Sequence, residues 1–302
     1  MLYVAQTALE LGFQYALVAM ALFLSYRVLD IADLTTDGCF VLGCAVSVTL
    51  TAAGHPFLAI PAAMLAGACA GFVTAFLQTK LGVPSILAGI VTNTGLYTVN
   101  LMAMGWKANQ SLLKQDTIFT LFRATGIGGD WNPILLSGGI TVLAGVLLVA
   151  FLGTRLGLSI RATGDNAAMV RASSINPAFT ITVGLCISGA LTALSGGLLA
   201  QYQKSCDINV GTGMVTIALA SLIIGETLVG RRTMVRRVLG VVFGSCLYRF
   251  IVAVALRFNV PAAAMKLVSA IIVAVAISMP AIKEKIAFEK RRNAARTRKE
   301  RV

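Results

Sequence analysis

The sequence is short of charge, of histidine and of paired cysteines. Only 12% of its 302 residues are charged, whereas a soluble domain of this size usually carries about a quarter. The single histidine, His55, precedes Pro56 in a turn and is expected to be a loop residue rather than a ligand. The six cysteines form no Cys-x-x-Cys pair, so neither a disulfide framework nor a zinc site is indicated. No Cys/His cluster or nucleophile motif supports an enzyme.

A phosphate-binding loop is also missing from the sequence. The chain contains no Gly-x-x-x-x-Gly-Lys-[Ser/Thr] segment and no Gly-Lys dipeptide. Such a loop supplies the backbone N–H groups and the lysine that hold nucleotide phosphates. If the activity is driven by ATP, we expect ATP and Mg²⁺ on another chain and no cofactor on this one.

Apolar runs are what the sequence has in abundance. Hydrophobic residues make up 57% of the chain, and the mean hydropathy is +0.85. A helix needs roughly 20 apolar residues to cross a bilayer, so the fold class is an all-α polytopic membrane protein with about nine spans. The first run has no basic residue before Arg27, which indicates a retained span rather than a signal peptide. The predicted spans lie near residues 8–26, 36–53, 56–78, 84–104, 133–152, 178–201, 213–229, 236–256 and 263–281.

The distribution of basic residues predicts the orientation of these spans. With the C-terminus in the cytoplasm, 18 of the 25 basic residues fall in inner segments and six in outer ones. Cytoplasmic loops carry an excess of Lys and Arg, so we expect the N-terminus outside. Nine of the 18 lie in a basic tail, residues 283–302. We interpret this tail as a topology determinant and an anchor to anionic lipid, with a specific tail partner as the alternative; the net charge of +13 needs no nucleic acid.

One polar stretch, RLGLSIRATGDNAAMVRASSINP (155–177), separates two predicted spans on the cytoplasmic side. Gly164 can end the preceding turn, and Asp165 can cap a short helix that begins at Asn166. Pro177 then starts the next span, where its missing N–H is harmless. The pattern predicts a short helix on the membrane surface. An ordinary loop is the alternative, because so short a helix is marginal without a partner.

The same stretch carries a family resemblance. Its Gly157, Ile160, Arg161, Ala162, Gly164 and Asn166, followed by Ala167, Ala168, Ala172 and Ile175, resemble the cytoplasmic signature of ABC-importer permeases of the branched-chain amino-acid and ribose type. Ser174 stands where that family more often has glycine. The stretches 30–43 and 190–232 are similar to the same family, so the resemblance covers nearly the whole chain. The most similar subgroup is encoded with substrate-binding lipoproteins for aromatic amino acids or related small solutes.

The resemblance implies the permease subunit of an ATP-driven importer in the bacterial inner membrane, moving a small solute such as an amino acid by alternating access. Its implied partners are an ATP-binding subunit, an extracytoplasmic substrate-binding protein and a second, identical permease copy. It divides the chain into a transmembrane permease domain, 1–282, and the tail. The residues implied to contact the ATPase are Arg161, Gly164, Asp165, Asn166, Met169 and Arg171.

Two further sets of residues are candidates for contact with solute or partner. Asn93, Tyr97 and Asn100 recur at helical spacing and could line a pathway, although hydrogen bonds between helices explain them equally well. The outer segments offer Trp106, Trp131, Asp207 and Asn209 as docking residues for the binding protein. Anchoring at the membrane interface is the alternative for the two tryptophans.

Several charged residues and glycines close to or within the spans are interpreted structurally. Asp33 and Asp37 are expected to cap and shape the start of the second span rather than to bind a coupling cation. Glu226 is expected to form a local salt bridge, with Arg231 or Arg232 close by, and Gly67 and Gly71 to mark a close helix contact. Arg249 lies inside a span, so it should face protein or a water-filled cavity.

A secondary transporter driven by an ion gradient is the competing function. Carriers of that class often show inverted repeats and charged residues at the membrane midplane. The sequence shows no convincing repeat and few midplane acids, so the docking segment favours the ATP-driven importer.

Overall fold

The computed structural model describes residues 2–113, 115–124, 126, 131–230 and 232–257, together with positions 267, 270, 271, 273–275 and 278. These residues are mostly helical, which confirms the all-α class. The helices are α1 (Leu2–Leu22) with a π-helical continuation (Phe23–Val28), α2 (Thr36–Ala52), α3 (Pro56–Thr79), α4 (Ser85–Ala103), α5 (Ile118–Ala124), α6 (Asn132–Gly153), α7 (Arg155–Asp165), α8 (Ala167–Ala172), α9 (Pro177–Gln203), α10 (Met214–Val229) and α11 (Met234–Arg257).

The predicted spans match these helices closely. Eight of the nine coincide with a helix, and the ninth, near 263–281, falls mostly outside the described residues. Among the described residues, six helices are long and apolar enough to cross a membrane, while α2 and α10 are shorter. The number nine and the orientation of the termini therefore stay predictions.

Helix α9 lies at the centre of the bundle and approaches its neighbours at glycines. A Cβ on Gly67 would lie 2.3 Å from the carbonyl oxygen of Gly189, and a Cβ on Gly71 would lie 2.3 Å from that of Leu185. No side chain fits in either gap. The structure thus confirms that the glycines of α3 mark a close helix contact.

Helices α2 and α10 both begin inside the bundle. The Ser47 hydroxyl donates to the Gly197 carbonyl at 3.0 Å, and Gln201 donates to Ser47, so α2 runs parallel to the last part of α9. With a rise of 1.5 Å per residue, α9 is about 40 Å long, and α2 begins opposite its middle. Helix α10 starts at the same level, because the Asp37 carboxylate accepts from the Gly213 N–H at 3.0 Å.

The two ends of α9 define two ends of the bundle. At its start lie α7 and α8, which form the coupling end. At its finish lies a two-stranded antiparallel ribbon, the ribbon end, which sequence patterning did not predict. The strands are β1 (Asn109–Ser111) and β2 (Ser205–Asp207), with Gln110 opposite Cys206.

Candidate coupling segment and translocation pathway

The coupling end consists of two short helices rather than a turn and one helix. The cap of α8 is Asn166, whose side-chain oxygen accepts from the Ala168 and Met169 N–H groups at 3.0 Å each. The prediction that Asp165 is the cap is wrong, since Asp165 is the last residue of α7 and Gly164 lies inside that helix. Asn166 has the extended backbone that a capping residue needs, with φ −161° and ψ 96°.

One face of α7 is shaped to lie directly on the bundle. Gly157, Ile160 and Gly164 are three and four residues apart and therefore share this face. A Cβ on Gly164 would lie 1.9 Å from the carbonyl oxygen of Val28, and a Cβ on Gly157 would lie 2.2 Å from that of Phe151. The Ile160 side chain is fully buried. These three residues of the signature thus allow α7 to pack in direct contact with the bundle.

Helix α8 presents an exposed surface on this docked support. Its one buried side chain is Val170, and the turn that follows uses Ser174 in the left-handed region at φ 62°. Serine therefore adopts the conformation that glycine favours at this position. Met169 is 67% exposed. Of the predicted ATPase contacts, Asp165, Asn166, Met169 and Arg171 are exposed, while Arg161 and Gly164 are half-buried.

A partly buried ion pair connects the coupling end to α10. Arg27, in the π-helical continuation of α1, donates from Nη2 to Glu226 at 2.7 Å and from Nε to both carboxylate oxygens at 3.0 and 3.1 Å. The Glu226 side chain is 1% exposed and that of Arg27 is 33% exposed. The salt bridge at Glu226 was expected, but a partner 199 residues away was not.

The predicted pathway residues converge on one cavity. Asn93, Tyr97 and Asn100 of α4 face α2 and the segment 208–212 across a cavity of about 310 Å³, which we call the α2–α4 pocket. Asn100 is almost fully buried, and its amide donates to the Gly38 carbonyl at 3.2 Å. Its side-chain oxygen has no hydrogen-bond partner among the described residues. Asn100 thus contributes a buried, unsatisfied acceptor beside the pocket and a hydrogen bond between α4 and α2.

The two acidic residues at the start of α2 have the structural role that the sequence indicated. Asp33 accepts from the backbone N–H of Thr35 at 3.0 Å and from its hydroxyl. Asp37 accepts from the N–H groups of Gly213 and Val215, at 3.0 Å each. It therefore caps α10, whereas the sequence suggested a cap of its own helix. The two short helices are joined at their first turns by this one carboxylate.

The predicted docking residues are spread over the ribbon end. Trp106 and Trp131 are 69% and 50% exposed. Asp207 lies in β2 and accepts from the Asn209 N–H at 2.7 Å, and Asn209 also lines the α2–α4 pocket. Sequence reasoning missed a second cavity at this end, of about 640 Å³, because its lining comes from α1, α5, α6 and α9 at once. That lining includes Glu10, Arg123, Tyr202 and Lys204.

Comparison of the sequence with known proteins assigns the chain to a family. The sequence profile of the branched-chain amino acid transport system permease component matches residues 5–277. The chain belongs to this family. It is a permease subunit of an ABC importer and a multi-pass protein of the bacterial inner membrane. Such a subunit works with an ATP-binding subunit and a substrate-binding protein.

Curated relatives transport different solutes. The tyrosine transport system permease of Clostridioides difficile is 33% identical over 259 residues, which are 85% of either chain. The ribose import permease of Escherichia coli K12 is 28% identical over 202 residues, 65% of this chain and 60% of the relative. The autoinducer 2 import permease of Escherichia coli O9:H4 is 31% identical over 186 residues, 60% of this chain and 52% of the relative. No solved structure matches.

Proposed function

We propose that this permease subunit forms a homodimer that imports an amino acid, with α8 as the contact for the ATPase subunit. ATP and Mg²⁺ are bound by that subunit. The observation that carries the proposal is the exposed surface of α8, which follows a helix docked directly on the bundle at Gly157 and Gly164. A surface loop without a partner would need no such support.

Structural contacts connect α8 to the pathway. Helix α7 touches the end of α1 at Gly164 and Val28, and the Thr163 hydroxyl bonds that of Thr180 on α9 at 2.8 Å. The Arg27–Glu226 pair continues from α1 to α10. The first turn of α10 lies at the α2–α4 pocket. A displacement of α8 by the ATPase would therefore be transmitted to the pathway.

The solute class is supported by two relationships. The family is described by branched-chain amino-acid transport, and a relative that covers 85% of the chain is named for tyrosine. An amino acid is also small enough for a cavity of about 310 Å³. The substrate-binding protein would deliver it at the ribbon end, where Trp106, Trp131, Asp207 and Asn209 form the available surface.

The polar face of α4 supports a second copy beside it. Thr94, Tyr97 and Thr98 are exposed on this span, and polar groups inside a membrane are expected to face protein or water rather than lipid. Two copies meeting along this face would enclose the α2–α4 pockets of both.

The experiment is co-purification of the permease with the ATPase encoded beside it, followed by ATPase assays in lipid with and without the binding protein. We expect binding-protein-stimulated hydrolysis in the wild type. Met169→Asp, on α8, should lose the ATPase subunit. Leu113→Asp, which is 78% exposed at the ribbon end, should keep it. Retention of the ATPase subunit by Met169→Asp would contradict the assignment of α8.

A further inference from the structure

Arg249 is a half-buried cation within a candidate membrane span. It lies in α11, and its guanidinium carbon is 3.4 Å from the ring centroid of Tyr15. Stacking on an aromatic ring stabilises a cation but leaves its charge in place. Its Nε has no hydrogen-bond partner among the described residues. This buried donor is therefore unsatisfied.

Acidic residues in this part of the bundle are committed elsewhere. Glu10, on the α1 segment that packs against α11, accepts from the Tyr202 hydroxyl. Glu226 binds Arg27. The preceding residue, Gly225, packs against Gly240 of α11, since a Cβ on Gly225 would lie 2.0 Å from the Gly240 carbonyl oxygen. Arg249 is nine residues beyond Gly240, or about 13 Å along the helix. Asp37 is engaged by backbone N–H groups of α10. Within the described part of the chain, no salt bridge neutralises Arg249.

The guanidinium lines a cavity rather than solid protein. This cavity, which we call the Arg249 pocket, has a volume of about 430 Å³ and is lined by α1, α10, α11 and Ala270. Tyr248 also lines it; this residue is 1% exposed, and its hydroxyl has no hydrogen-bond partner among the described residues. No acidic residue is among the described lining residues. Two residues that each carry a buried, unsatisfied donor thus line the same cavity.

The pocket also adjoins the proposed pathway. Thr212 lines both the Arg249 pocket and the α2–α4 pocket. Gly213 and Thr216 also line the Arg249 pocket, so the first turn of α10 forms part of its wall. The first turn of α10 is already capped by the Asp37 carboxylate, so the cation of Arg249 is the group that selects the ligand. A guanidinium matches the planar geometry of a carboxylate, and it therefore favours an anion with a carboxylate.

We propose that Arg249 and Tyr248 bind the carboxylate of the transported solute in the Arg249 pocket. The proposal rests on amino-acid import as the function, and it identifies the carboxylate as the part of the amino acid that the pocket binds. An uncharged solute such as a sugar would leave the half-buried cation without a counter-ion.

The test uses the purified permease–ATPase complex in lipid nanodiscs without nucleotide. Its thermal midpoint is measured with millimolar L-phenylalanine and L-leucine and with the corresponding amino-acid amides, which keep the ammonium group but lack the carboxylate. We expect the acids to raise the midpoint and the amides not to. Arg249→Gln should weaken the response to the acids by at least about tenfold in concentration, since a charged hydrogen-bonded contact is lost.

Three comparison variants make the result specific. Arg249→Lys keeps the charge and should retain part of the response. Tyr248→Phe keeps the packing and should weaken it, which provides a second reading if Arg249→Gln does not fold. Arg123→Gln removes a cation from the ribbon-end cavity and should leave the response unchanged.

Equal responses to acids and amides, no response in the wild type, or an unchanged response in Arg249→Gln would each overturn the carboxylate site. Loss of the response in Arg123→Gln alone would place the carboxylate at the ribbon end instead. Because the assay contains no ATP, its failure is separate from a failure of ATP-driven transport. A complex that hydrolyses ATP with its binding protein but ignores amino acids would refute the carboxylate site and leave the coupling role of α8 standing.

Discussion

At the scale of single residues, the glycines of the signature are explained by contact distances. Gly164 is the tightest of them, because a Cβ would lie 1.9 Å from the Val28 carbonyl oxygen. That oxygen belongs to the backbone, so it cannot move aside as a side chain would. The sequence indicated that Gly164 ends a turn. The contact that requires glycine comes from a residue 136 positions earlier, which no local pattern reveals.

Replacing Gly164 by alanine is therefore expected to push α7 away from the bundle. The cost of such overpacking is about 1–3 kcal/mol, and binding-protein-stimulated ATPase activity should fall with it. Gly153→Ala is the matched control, since a Cβ there meets nothing within 4 Å. Thermal unfolding and ATPase assays of the two variants measure the difference. Equal behaviour of both would contradict the tight docking of α7.

The Arg27–Glu226 pair gives a second prediction at this scale. Arg27→Gln leaves the buried carboxylate without its cation, which costs on the order of 3 kcal/mol of folding stability. The exchanged variant Arg27→Glu with Glu226→Arg restores opposite charges and should recover part of the loss. Thermal unfolding of the single and double variants checks this. If the exchanged variant loses as much stability as its two single substitutions together, the ion pair itself contributes nothing to stability.

At the scale of elements, α8 is the helix most dependent on its cap. It has six residues, and so short a helix is marginal by itself. Asn166→Ala removes a cap worth about 1 kcal/mol and should reduce coupling to the ATPase. Asn176→Ala is a matched control, because Asn176 caps the 27-residue α9 through the Ala178 N–H. A loss of coupling in both variants, or in neither, would contradict a special role for α8.

The elements also show how far sequence reasoning reaches. The lengths of the apolar runs located eight helices, because a helix that crosses a bilayer needs a minimum number of consecutive apolar residues. Apolar length did not reveal that α2 and α10 begin opposite the middle of α9. That depends on Asp37 bonding to Gly213, a contact between distant segments. The polar cluster of α4 was found from spacing on one helix, and its role in a pathway stays a prediction. The ribbon-end cavity was missed because four helices build it.

At the scale of the whole molecule, the exposed polar face of α4 predicts where two copies meet. Tyr97 is 51% exposed and lies at the mouth of the α2–α4 pocket. With the exposed native cysteine removed as Cys69→Ser, a Tyr97→Cys variant should form a cross-linked dimer in membranes. Leu143→Cys on α6, at 59% exposure, should not. Cross-linking through position 143 but not through position 97 would place the dimer interface on the other side of the bundle.

The central claim is that this subunit imports an amino acid by a movement that ATP drives through α8. The most direct measurement is uptake of labelled L-tyrosine into proteoliposomes that contain the permease–ATPase complex, with the binding protein and ATP supplied on their respective sides. The account predicts accumulation that requires ATP and the binding protein and is lost in Met169→Asp. Accumulation driven by an imposed ion gradient without ATP, and unaffected by Met169→Asp, would contradict it.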